Sequence, residues 1–229
     1  MNIRNINSIH DYLEIVFSIR PYSMFRGVHN SDYELISRVG RADAEQLQAR
    51  YGGTILKLEM ALLQQFKTQS RPHLKYPPQS EWEWLCLMQH HGTPTRLIDW
   101  TRNALVAVYF SLFDLNNRAT PTNTDGAVYM LPPKQLKNLD GHPEPYELTE
   151  VSAVELPHVS PRVSAQHALF TIHPEPSKPY EDESVLKVII PKGMKPQLAD
   201  QIARLGVHYV SMFPGLDSIN EGSRLVMKF

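Results

Sequence analysis

The sequence predicts an α+β fold, a single domain in which N-terminal helices pack on a mixed or antiparallel sheet. Three observations carry this reading. Apolar residues at helical spacing concentrate before residue 113, whereas short apolar runs of strand length between turn signals concentrate after residue 125. No internal repeat or Gly/Ser-rich linker divides the chain. Across 229 residues, 42% hydrophobic content against 21% charged is enough to build a core and excludes global disorder.

Ile9, Leu13, Val16 and Phe17 place a short amphipathic helix over residues 8–20, ended by Pro21. Residues 22–28 read as a short strand closing at the Gly27 turn. Residues 41–50 are polar and carry no periodic signal. Ile55, Leu58, Leu62 and Phe66 mark a second helix over 54–66, followed by a proline-rich connector. Ser80 with Glu83 three residues on is a capping box opening a third helix, which Gly92 and Pro94 stop. Residues 95–101 form a short strand or extended turn. The helix over 103–112 is apolar on nearly every face and is therefore expected to be central and buried. Residues 126–131, 168–172 and 184–190 read as strands. The proline-punctuated stretch 132–160 reads as a loop, residues 195–205 as a helix stopped by Gly206, and Leu225-Val226-Met227 as strand-like.

Composition narrows the function. Lys and Arg number 23 against 24 Asp and Glu, so no overall basic field exists to hold nucleic acid, although a local patch is compatible with that balance. The single Cys86 excludes an intramolecular disulfide framework and a cysteine-based zinc site. No apolar stretch reaches membrane-spanning length and the N-terminus has no signal-peptide core, which predicts a cytoplasmic protein with no membrane partner. P-loop, dinucleotide, nucleophile-elbow, zincin and EF-hand motifs are all absent. The adjacent His90 and His91 would diverge on a helix and chelate poorly together, so no metal site is expected.

The densest polar constellation is Gln89-His90-His91-Gly92-Thr93-Pro94-Thr95-Arg96-Leu97-Ile98-Asp99-Trp100-Thr101, set between two hydrophobic helices. An Arg96–Asp99 pair there would be buried and mainly structural. His91 either caps the helix C-terminus or belongs to a site.

These residues resemble the FRG domain family. The resemblance rests on Phe25-Arg26-Gly27, the block Gln89–Thr101, and Ala107-Val108-Tyr109-Phe110. The segments 162–170 and Phe213-Pro214-Gly215-Leu216-Asp217 extend it, so that it covers about residues 20–220. Ala168 stands where the pattern usually has glycine, and Gly215 where it often has aspartate. An aromatic-Arg-Gly strand is also similar to the opening of a large class of ADP-ribosyltransferases, in which the arginine holds the NAD phosphates. In that class a Ser or Thr strand follows, then a Glu or Gln that orients ribose and acceptor. The resemblance therefore implies NAD as substrate, with Arg26, Gly27, Thr95, Arg96 and Tyr109 binding it, and Gln166, Thr101, His91 and Asp99 in catalysis. Trp100 and Tyr109 read either as core residues or as stacking partners for nicotinamide. The acceptor would be a protein or nucleic acid, as for a toxin or anti-phage effector that has an antitoxin or regulatory partner. Two other readings stay open: an inert ligand- or protein-binding module, and a nucleic-acid-processing domain using His91, Arg96 and Asp99.

Overall fold

Eight strands join into one mixed sheet in the computed structural model, which describes residues 1–114, 120–134, 136–137, 144–155, 164–215 and 218. The strands are β1 (Asn2–Asn5), β2 (Met24–Val28), β3 (Leu97–Thr101), β4 (Gly126–Leu131), β5 (Leu136–Lys137), β6 (Ser152–Val154), β7 (Ala168–Ile172) and β8 (Leu186–Ile190). Their order across the sheet is β1-β8-β4-β2-β3-β7-β6-β5. The central pairings are antiparallel, and β1 with β8 and β5 with β6 are parallel. The helices are α1 (Ile9–Ser18), α2 (Ala44–Tyr51), α3 (Ile55–Ser70), α4 (Glu81–His90), α5 (Ala104–Leu112), α6 (Lys195–Arg204) and α7 (Tyr209–Met212).

Capping chemistry explains most of the helix starts. The Ser8 hydroxyl accepts from the Asp11 N–H, and the Asn103 side chain accepts from the Leu105 and Val106 N–H groups. At α4 the Ser80 hydroxyl takes the Glu83 N–H, but the Glu83 carboxylate reaches back to the Gln79 N–H rather than that of Ser80.

Five elements depart from the sequence reading, one of them the short helix α7, for which the sequence gives no sign. β1 is exposed at every position, so it shows no apolar alternation; backbone pairing to β8 alone makes it a strand. The polar stretch 41–50 contains α2, which buries nothing and depends on its ends. There Asp43 accepts from the Gln46 N–H, and Gly52 takes the left-handed conformation at φ 61°. β5 and β6 lie inside the stretch read as loop. The strand expected at Leu225-Val226-Met227, together with Arg162, Val163, Leu216 and Asp217, lies outside the described residues.

The middle of the sheet is barely joined. β2 and β3 pair at one register position, Phe25 opposite Thr101, whereas β2 pairs with β4 along its whole length and β3 likewise with β7. Side-chain alternation puts Phe25 and Leu97 on one face of the sheet. There, two separate apolar cores form. Phe25, Val128, Met130, Val188 and Ile190 pack with α1, α5, α6 and α7, while Leu97, Val154, Phe170 and Ile172 pack with α4. On the opposite face Met24, Val28, Ile98, Trp100, Tyr129 and Leu169 form a core that spans both halves. Helix α5 crosses β2 at Gly27, whose Cβ position lies 1.9 Å from the Ala107 carbonyl oxygen, so only glycine admits this approach.

Candidate functional site

Where β2 and β3 diverge, a cleft of about 760 Å³ opens between them. β2 contributes Phe25, Arg26, Gly27 and Val28; β3 contributes Leu97, Asp99, Trp100 and Thr101. Arg38 and Arg41 come from the segment before α2, the 89–93 block from the end of α4, and Gln166 from the turn before β7.

Strand alternation fixes the two neighbours at its head. Phe25 is buried against the α5 side, and Arg26 therefore turns the other way, with its side chain 20% exposed. Its Nη1 donates to the Asp99 carbonyl oxygen at 2.8 Å and lies 3.6 Å from the Asp99 carboxylate. The guanidinium thus bridges the gap where the ladder has opened. Burial pulls the Arg26 pKa below its ordinary value, and the Arg41 charge adds to that; the Asp99 carboxylate opposes both.

Asp99 is 54% exposed in its side chain and is held from behind by Gln89, whose Nε2 is 2.9 Å from both carboxylate oxygens. The Thr95 hydroxyl donates to Gln89 Oε1, which fixes the orientation of that amide. The Thr101 hydroxyl donates to the Gln166 carbonyl oxygen at 2.6 Å and accepts from the Asn103 N–H. Gln166 Nε2 donates to the Met212 carbonyl oxygen at 3.0 Å, which leaves Oε1 as the acceptor end of the amide. His91 is the C-cap of α4, its N–H bonded to the Leu87 carbonyl, and it also lines the cleft.

Arg26, Gly27, His91, Asp99, Thr101 and Gln166 all line this one cleft. Three expected residues do not. Arg96 is 4% exposed and pairs with Glu59, itself 2% exposed, through Nε–Oε1 at 2.9 Å and Nη2–Oε2 at 2.5 Å. The Tyr146 ring stacks on the guanidinium at 4.8 Å. The expected Arg96–Asp99 pair does not form, because Arg96 turns toward α3 whereas Asp99 faces the cleft. Thr95 is buried and serves Gln89 and the Leu97 N–H. Tyr109 is buried in the core with Phe113 and Phe213 around it, on a helix that is apolar on nearly every face. Trp100 lines the cleft but is packed into the core at 2% exposure, and its indole N–H donates to Thr171 Oγ1, which is 2.8 Å from His173 Nε2.

Arg38 and Arg41 escaped the sequence reading. Arg38 Nη1 donates to the Gly92 carbonyl oxygen at 2.6 Å, and Arg41 lies over the Tyr33 ring at 5.6 Å while donating to the Glu34 and Ile36 carbonyls. They sit in a segment that has no motif signal, so only the fold reveals that they line the same cleft as Arg26. Among the described residues, no group of three His, Cys, Asp or Glu side chains is arranged to hold a metal ion. No helix among them is long and apolar enough to cross a membrane.

The model of the FRG domain matches residues 22–119, a segment that supplies β2, α2 to α5, β3 and most of the cleft lining. No curated protein and no solved structure matches the chain.

Proposed function

We propose that the FRG domain on residues 22–119 is part of an NAD-dependent ADP-ribosyltransferase whose donor lies in the β2–β3 cleft. The carrying observation is the arginine cluster, in which Arg26, Arg38 and Arg41 face one cleft against the Asp99 carboxylate. A pyrophosphate brings two negative charges, and guanidinium forks match phosphate oxygens in geometry as well as charge. The open ladder adds strand edges beside the cleft, whose backbone groups suit a planar amide such as that of nicotinamide.

In the reaction, the ribose C1′–nitrogen bond breaks and its electron pair leaves on nicotinamide. The ribose becomes oxocarbenium-like. Of the two carboxylates that line the cleft among the described residues, Asp99 and Asp114, Asp99 is the one beside Arg26; it stabilises that cation and takes the acceptor's proton as the acceptor atom bonds to C1′. Gln166 Oε1 accepts from a ribose hydroxyl and orients the sugar. Gln89 keeps the Asp99 carboxylate aimed into the cleft.

A second reading, nucleotide binding without turnover, draws on the prior engagement of Thr101 Oγ1 and Gln166 Nε2 with backbone carbonyls. Nicotinamide release separates the two. NAD at 100 times its Kd should stabilise the protein by about 2.7 kcal/mol in either case. Only the transferase releases nicotinamide and labels an acceptor from isotope-labelled NAD. Arg26→Ala should abolish the stabilisation while leaving the fold intact, and Arg26→Lys should restore only part of it.

A further inference from the structure

The sequence contains no basic run interleaved with aromatic residues, yet the fold assembles one beside the cleft. Phe66 of α3 meets Trp84 of α4 at 6.4 Å between ring centroids and His91 at 6.2 Å, and His91 meets His90 at 4.9 Å. Four rings thus run from the outer surface of α3 and α4 to the cleft wall, where His90 and His91 are lining residues. Trp84 and Phe66 are half-buried, and Lys67 Nζ lies 5.7 Å from the Trp84 ring centroid.

The segment that carries Phe66 is basic. Between Glu59 and Glu81 the chain carries Lys67, Arg71 and Lys75 and no acidic residue. Arg71 and Lys75 are exposed, and none of the three makes an ion pair with a described residue. The nearest acid in sequence to Trp84 is Glu83, whose carboxylate is occupied by the Gln79 N–H. A row of rings with Lys67 against it, and two exposed cations farther along the same segment, matches a polymer that alternates planar bases with phosphates. An unpaired strand offers its base faces; a duplex hides them in its own stack.

We propose that the acceptor is single-stranded nucleic acid, laid along Trp84, Phe66, His91 and His90 so that one nucleotide reaches Asp99. This rests on the transferase reading above, with NAD entering past the arginines and the strand past the rings. An acidic peptide would use the cations but has no use for the ring row.

The test measures fluorescence anisotropy of short labelled oligo-dT and oligo-U with the whole protein, alongside nicotinamide release from NAD. Trp84→Ala should weaken oligonucleotide binding about 5- to 150-fold, the loss expected for one stacked base. Arg71→Glu with Lys75→Glu, both on the exposed surface, should lower the slope of log affinity against log salt by about 1.4, for two lost phosphate contacts. That pair keeps the test independent of how well Trp84→Ala folds. Nicotinamide release should rise when the oligonucleotide is added, and label should appear on it. Oligonucleotide affinity unchanged in both variants, or label on protein alone, overturns the proposal. Oligonucleotide binding that depends on Trp84 with no nicotinamide release under any condition overturns the transferase reading and with it the acceptor role.

Discussion

Glu59→Gln is the sharpest test of the architecture around the cleft. Glu59 and Arg96 are 2% and 4% exposed, and they share two hydrogen bonds with Tyr146 stacked over the guanidinium. The amide keeps the shape of the carboxylate but removes its charge and turns one acceptor into a donor facing the guanidinium. The Arg96 charge then remains buried without a counter-ion, a situation that costs about 3 to 5 kcal/mol. For a chain of this size each kcal/mol shifts the midpoint by about 2 to 4 °C, so the melting temperature should fall by about 6 to 20 °C. Asp99→Asn is the contrast. Its side chain is 54% exposed, so the variant should melt within about 0.5 kcal/mol of the parent. It should also keep NAD binding and lose turnover. Thermal unfolding of both variants by calorimetry, with nicotinamide release in parallel, is the assay. If Glu59→Gln melts with the parent while Asp99→Asn unfolds early, the assignment of Arg96 to Glu59 is refuted.

Further outcomes follow from the same geometry. Gly27→Ala drives a methyl into the Ala107 carbonyl, which lies 1.9 Å from the Cβ position. It should cost about 3 kcal/mol in denaturant titrations and push α5 off β2. Burial, with help from the Arg26 charge, lowers the His173 pKa from 6.5 to about 4. Between those values the unfolded chain binds a proton that the folded imidazole refuses, so stability falls as pH drops from about 6.5 to about 4, by about 3 kcal/mol. His173→Gln should flatten that limb of the stability–pH curve. Gln166→Ala should leave the NAD affinity near that of the parent and lower kcat, since the amide is assigned to orienting the ribose.

Elements with a buried apolar signature were legible in the sequence. β4 and β7 fall at the read positions, and α5 shows that apolar character on nearly every face means a central helix. β1 and α2 were illegible because backbone pairing and end-capping create them without burying a side chain. The candidate site divides in the same way. Arg26, Asp99, Thr101 and Gln166 lie in motif segments and meet in one cleft. The partner of Arg96 is not legible, because Glu59 is 37 residues away in sequence and sits unremarkably in the periodicity of α3. The ring row was equally hidden: Phe66 and His91 become neighbours only once α3 lies against α4.

The single bridge between Phe25 and Thr101 makes the sheet two plates sharing a hinge line. α5 leans on β2, β3 and β4 together and acts as a splint across that line. Whatever settles in the gap touches both plates and behaves as a suture, so occupancy of the site and the mechanical stiffness of the whole sheet become one property. The β2 amide hydrogens that point toward β3, away from the β4 ladder, should therefore exchange quickly in the free protein and slow together when the gap is filled, including at positions the occupant never touches. In such a molecule, a change far out on α5 that loosens the splint weakens binding as surely as one inside the cleft.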